Sequence, residues 1–197
     1  MPLGNVEGLD LEPRRNSYDM AMLDLETLGV ESGAAILSVG LVCFDLDGPD
    51  RAASLHLGIS KPLGKIEIGT TMWWMQQSDD ARKRIVDVTN HGDTELIVCA
   101  SIKSMVEVFG IKELWSNGPS FDERLLHEMF DRNHQVGKSW PFRHNAGRDC
   151  RTIFDIGATL NVPWIEREGV GHDALDDAIH QANNVAAILR HLRGLPR

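Results

Sequence analysis

Three short acidic motifs in this chain place side chains at spacings that could do chemistry. The first is Asp24-Leu25-Glu26, at the end of a segment (17–26) that reads as a β-strand. Residues two apart in a strand share a face, so Asp24 and Glu26 converge while Leu25 turns toward the opposite side. Two like charges beside an apolar strand repel unless a cation or a proton compensates them. The plainer reading is that both carboxylates face water at a strand end. The second motif is Asp122 in SNGPSFDERLL, where Asn117, Gly118 and Pro119 read as a turn and Ser120 as the N-cap of a helix. Here the plainer reading is that Asp122 and Glu123 complement the positive end of that helix. The third is GHDALDDAIHQA, with His172 at the mouth of a final helix and Asp177 five residues on. Asp173 could instead cap this helix with His172 in water, and periodicity does not choose among Asp173, Asp176 and Asp177 for the inward position.

The elements that must position these motifs follow from periodicity. Residues 17–26, 35–45 and 52–59 read as three strands with short connections, which favours an antiparallel meander. Residues 71–88 carry a helical pattern with a break at Ser78, and 94–109 repeat apolar residues close to every 3.6 positions. A short strand around Leu114 and Trp115, a helix over 120–131, a strand near 140–142, and helices over 149–160 and 173–192 complete the chain. The order β-β-β-α-α-β-α-β-α-α gives an α/β fold. Its sheet is mixed and five-stranded, an antiparallel meander plus parallel strands, flanked by helices in a layout resembling ribonuclease H. Such a layout does not by itself fix a function.

Composition sets the outer limits. The 197 residues suit one domain over 17–197, with 1–16 read as a flexible leader. With 42% hydrophobic and 25% charged residues and no long apolar run, a soluble protein with no membrane partner is expected. Cys43, Cys99 and Cys150 are odd in number and lack CxxC spacing, which argues against disulfides and a zinc site and for a reducing, cytoplasmic setting. No GxxxxGK[ST] loop is present, which counts against an ATPase. A net charge of −9 is unusual for a phosphate binder, but carboxylates loaded with cations no longer count as negative. Residues 124–151 are locally basic, with Arg124, Arg132, Lys138, Arg143, Arg148 and Arg151 against Glu128, Asp131 and Asp149.

Taken together the three motifs resemble those of the DEDD 3′→5′ exonucleases, in the subclass with a histidine in its last motif. DLETLG is similar to that family's first motif, NGPSFD to its second, and H-x-x-x-x-D to its third. The agreement in order and separation runs from residue 17 to 192. TTMWWMQQSDDAR further resembles the branch holding a bacteriophage exonuclease A and small mycobacterial exoribonucleases. The resemblance places Asp24, Glu26, Asp122, His172 and Asp177 on catalytic positions, with the four carboxylates as ligands of two Mg²⁺ ions and Mn²⁺ as a substitute. Asp24 would bridge both ions, Glu26 and Asp177 would hold the ion near the attacking water, and Asp122 would support the other. His172 would be the general base.

The expected reaction is hydrolysis of single-stranded nucleic acid from its 3′ end to nucleoside 5′-monophosphates, with DNA slightly favoured over RNA. The family implies that backbone near Thr27 and Leu28 meets the terminal nucleotide with an aromatic nearby for stacking, for which Trp73, Trp74 and Phe121 are candidates; Asn117 either touches the substrate or simply satisfies its turn. Trp73 and Phe121 could equally be core residues. Dimers occur in the family, so a homodimer is also an expectation. A catalytically silent ribonuclease-H-like module that binds nucleic acid is the competing reading, and an endonuclease on RNA–DNA hybrids is a second.

Overall fold

The computed structural model describes residues 17–134 and 140–195, so the leader read over 1–16, and Lys138 of the basic segment, lie outside the described residues. The strands are β1 (Met20–Thr27), β2 (Ile36–Asp45), β3 (Gly48–Gly58), β4 (Glu113–Ser116) and β5 (Gly147–Asp149). The helices are α1 (Ile68–Met75), α2 (Asp79–Asn90), α3 (Glu95–Phe109), α4 (Asp122–Arg132), α5 (Cys150–Thr159) and α6 (Ala174–Leu192). The strand order is β3-β2-β1-β4-β5: β1 to β3 form the antiparallel meander, while β4 joins β1 and β5 joins β4 in parallel.

Strand β1 is the axis of the sheet, and its alternation separates two cores. Ala21, Leu23 and Leu25 face Val98, Ile102, Leu126 and Met129 of α3 and α4. Met20 and Met22 face Ala178, Ala182 and Val185 of α6 on the other side. Asp24 and Glu26 therefore belong to the α6 face by strand periodicity alone. Strand β2 is covered on both faces, which is why ILSVGLVCF reads as a nearly continuous apolar run.

Four local expectations need correction. The break expected at Ser78 is present, its side chain accepting the Ala81 N–H to cap α2, but it divides two separate helices, so three helices rather than two precede β4. The last strand is Gly147–Asp149 rather than 140–142. Trp140 and Phe142 instead pack as an aromatic cluster beside His127 and Phe130. Ser120 does not cap α4: Phe121 holds that position without a side-chain bond, and the turn is closed by the Phe121 and Asp122 N–H groups donating to Gly118 O. The basic segment does not form a free patch, since Arg124, Arg132, Arg148 and Arg151 are paired with Glu128, Glu95, Glu113 and Asp149. The three cysteines are free and buried. Among the described residues no helix is long and apolar enough to cross a membrane.

One close approach sets the position of α6. Gly40 is the register partner of Asp24, and a Cβ built on Gly40 would lie 2.1 Å from the carbonyl oxygen of Ala174 at the first turn of α6. A side chain there must push α6 off the sheet. Gly40→Ala is expected to lower stability by about 1–3 kcal/mol, the usual range for overpacking, in a denaturant titration. Gly69→Ala, in α1 with nothing within 4 Å of its Cβ, should be neutral or stabilising by about 0.5–1 kcal/mol. Equal effects at both positions would show that the contact at Gly40 does not set α6.

Candidate active site

Five of the residues singled out by sequence converge at the carboxyl end of β1. Asp24 and Glu26 come from β1, Asp122 opens α4, Asp177 lies in the first turn of α6, and His172 precedes the helix. Glu26, His172 and Asp177 each offer a ligating atom, all within 4.8 Å of one another. His172 holds a left-handed backbone (φ 62°), a conformation uncommon outside glycine, and its N–H donates to Asp177 Oδ2 at 3.2 Å. Gln181, one turn along α6, donates its side-chain N–H to Asp24 Oδ1 at 2.8 Å.

The three aspartates of α6 divide their work. Asp173 is the N-cap, accepting the Asp176 N–H at 3.1 Å, and its other oxygen lies 3.6 Å from His56 and 3.8 Å from Arg84. Asp176 accepts the Val170 N–H at 2.9 Å. Of the three, Asp177 is the one grouped with Glu26 and His172.

Crowded, buried acids bind their protons more tightly than they would in water. Burial pushes the Glu26 carboxyl up to about 8, helped by the neighbouring charges of Asp173 and Asp122. Burial raises Asp122 to about 7 despite the N–H groups of its own residue and Leu25 and the nearby Arg151. Asp24 is raised well above the usual carboxylate range by burial, then by Asp122 and Glu26. His172 is lowered from its ordinary value by burial and then by Arg167, so its imidazole favours the neutral form.

Arg167 is the residue that sequence reasoning missed. Its guanidinium forms an ion pair with Asp177 Oδ1, and it stands in the loop between α5 and α6, where no periodicity marks it. The single sequence hint is one cation between Glu166 and Glu168, five positions before His172.

Beside the carboxylates lies a cavity of about 390 Å³ whose walls include Glu26, Thr27, Trp73, Trp74 and Phe121. The two tryptophans take different roles. Trp74 is buried and donates its indole N–H to Thr27 O at 2.9 Å, whereas Trp73 is 41% exposed and sets its ring edge-on to His172 with centroids 4.8 Å apart. Trp73 is therefore a wall of the site rather than a core residue. Leu28 does not line the cavity: its side chain packs with Leu37, Trp74 and Ile85, and its N–H and C=O bond to Ala35 and Glu67. Asn117 is exposed and is not part of the wall.

The chain matches the family described as the 3′-5′ exoribonuclease Rv2179c-like domain over residues 19–189. No curated protein matches it. Among solved structures it is similar to exonuclease I from Methylocaldum szegediense, with a TM-score of 0.59 and 14% identity over 89% of this chain and 41% of that one. E. coli exonuclease I in complex with a dA16 oligonucleotide gives 0.60 and 13%, over 87% of this chain and 40% of that one. The nuclease domain of 3′hExo, a DEDDh family member bound to rAMP, gives 0.57 and 16%, over 91% and 96%. The chain thus spans about two fifths of the exonuclease I chains, and at these identities the likeness is one of fold: a ribonuclease-H-like mixed sheet.

The raised acids predict how stability follows pH. Glu26 and Asp122 bind protons more tightly in the folded chain than at their ordinary values of 4.5 and 3.8. Their contribution is complete below the ordinary carboxylate range and is lost as pH climbs through about 7 and 8. In the presence of a chelator, the Tm should fall between pH 5.5 and 8.5, and Glu26→Gln should flatten that fall. A wild-type Tm independent of pH over this range would refute the crowding.

Proposed function

Because the chain belongs to the 3′-5′ exoribonuclease Rv2179c-like family, we propose that it is a metal-dependent 3′→5′ exonuclease releasing nucleoside 5′-monophosphates from single-stranded nucleic acid. The observation that carries this reading is the meeting of Glu26, His172 and Asp177 within 4.8 Å beside the aromatic-walled cavity. Exonuclease I in complex with an oligonucleotide and the 3′hExo domain bound to rAMP share the fold and support a strand end in that cavity. The family's description adds weight to RNA, against the slight preference for DNA expected from sequence.

The donor set fits divalent cations. Carboxylate oxygens that hold protons for lack of a positive charge are what a hard ion such as Mg²⁺ or Mn²⁺ would take over. Asp24, Glu26, Asp122 and Asp177 would hold such ions through their carboxylate oxygens. When bound, such ions stabilise charge on the attacking and leaving oxygens and acidify water.

The chain's own residues do the rest. The neutral imidazole of His172 accepts the proton of the attacking water, and the contact with Trp73 orients its ring. The water oxygen bonds to phosphorus as the P–O3′ bond breaks, and the departing 3′ oxygen takes a proton from solvent. Trp73 and Phe121 offer faces for the terminal base, and Thr27 backs the cavity. Three free cysteines suit a reducing, cytoplasmic setting.

The test uses 5′-labelled DNA and RNA strands of one sequence with Mg²⁺. A ladder shortening one nucleotide at a time from the 3′ end is expected, and Asp24→Asn should retain less than about a tenth of the rate, given the several kcal/mol that metal catalysis supplies. Internal fragments would indicate an endonuclease, and metal binding without cleavage a silent module.

His172→Ala should lower kcat by about 10²–10⁴-fold, the usual share of general acid–base catalysis. Wild-type kcat should rise with pH through an apparent pKa below the ordinary 6.5 of histidine, a rise the variant lacks. A variant with near-normal kcat and the same profile would make His172 a bystander.

A further inference from the structure

The loop between α5 and α6 is fastened on both sides of Arg167. Upstream, Asn184 accepts the Ile165 N–H at 2.9 Å and donates to the Ile165 carbonyl at 3.2 Å, while the Trp164 ring rests edge-on against Phe154 and His180. Downstream, Asp176 accepts the Val170 N–H, and Gly169 (φ 90°) fits where a Cβ would lie 2.3 Å from the Asp176 carboxylate. The backbone around residue 167 is thereby held, while the Arg167 side chain remains 38% exposed.

Where the guanidinium points is specific. Asp177 Oδ2 receives the His172 N–H, whereas the other carboxylate oxygen, Oδ1, is buried. Arg167 meets that second oxygen as an ion pair. The same cation bears electrostatically on Asp24, Glu26 and His172, though in each case less than burial does. A positive group that only braced the loop would not need to reach a carboxylate grouped with Glu26 and His172.

We propose that Arg167 is a built-in counter-cation that competes with a divalent ion for Asp177 and, once displaced, becomes a contact for the phosphate of the bound strand. This rests on the metal-dependent reading of the site. Like charges repel at these separations, so an entering cation weakens the Arg167–Asp177 pair. With the backbone anchored at Ile165 and Val170, release requires only side-chain rotation. A guanidinium freed beside the carboxylates is suited to a phosphate, whose oxygens it can meet bidentately. Arg167 is then a substrate-contacting residue whose position in the metal-free chain keeps the acids partly neutralised.

The signature is a pair of effects of opposite sign, which a bracing role would not give. Mn²⁺ is titrated calorimetrically into the wild-type chain, Arg167→Gln and Arg167→Lys, and 5′-AMP is then titrated into each at saturating Mn²⁺. Arg167→Gln should bind Mn²⁺ at least about tenfold more tightly, because a like charge a few ångströms away has gone. It should bind 5′-AMP at least about tenfold more weakly, and Arg167→Lys should lie nearer the wild type in both. Equal or weaker Mn²⁺ binding by Arg167→Gln overturns the counter-cation, and unchanged 5′-AMP binding overturns the phosphate contact. Failure of the wild type and both variants to bind Mn²⁺ would remove the metal reading itself, and this inference with it.

Discussion

Helix α6 crosses β1 and β2 at a distance that a residue with a side chain at position 40 would prevent. Ala174 O sits where the Gly40 Cβ would be, and Gly40 is the register partner of Asp24. The helix therefore starts directly over the acidic end of β1. Its first turn supplies Asp177, its next turn sends Gln181 to Asp24, and the residues before its cap place His172 and the Arg167 loop. The apolar face of α6, Ala178, Ala182 and Val185, holds the arrangement by packing on Met22 and Val42. Small side chains at 178 and 182 continue the close fit that Gly40 begins. Packing energy along most of the helix thus supports an electrostatically unfavourable start.

That unfavourable start gives the site its chemistry. Three carboxylates pressed together out of water hold protons that they would normally have lost by neutral pH. Such a cluster lowers stability unless protons, an internal cation or bound metal neutralise it, and each gives a different state of the same site. Protons do so at low pH, and Arg167 does so in part through Asp177. Divalent ions would replace both while leaving His172 neutral and able to accept a proton. A net charge of −9 is consistent with this: much of the acidity that matters is local and suited to ions rather than to basic partners.

What was legible in the sequence was what periodicity and motif spacing determine. Strand alternation placed Asp24 and Glu26 together with Leu25 reversed, and the observed cores divide along the same alternation. The three-strand meander and the amphipathic helices followed for the same reason. Misplacements arose where local preference met tertiary contacts. Trp140 and Phe142 look strand-like but are drawn into an aromatic cluster with Phe130, while the true strand β5 is only three residues long and carries almost no pattern. Ser120 has cap chemistry, yet the turn closes on Gly118 through backbone bonds. Adjacent Trp73 and Trp74 are indistinguishable in sequence, and only the bond to Thr27 O decides which is buried. Which α6 aspartate turns inward was fixed by partners distant in sequence, such as His56 and Arg84 for Asp173. Arg167 left only the hint of a lone cation between Glu166 and Glu168, because loops carry no period.

The same geometry bears on how an acidic chain could hold a polyanion. Four arginines of the locally basic segment pair with carboxylates and brace the fold, most clearly Arg132 on buried Glu95. A general electrostatic grip of the kind that dominates most nucleic-acid binding therefore has little to draw on there. The cavity is lined by aromatic side chains at Trp73 and Phe121, and aromatic faces that stack a base contribute about 1–3 kcal/mol without regard to sequence. Its volume of about 390 Å³ is in the range of small-molecule sites. Binding concentrated at one end of a strand favours removal of terminal nucleotides over attack along its length. The sheet, the seating of α6 and the exposure of Trp73 together place an open aromatic wall beside the carboxylates that Gly40 allows to meet.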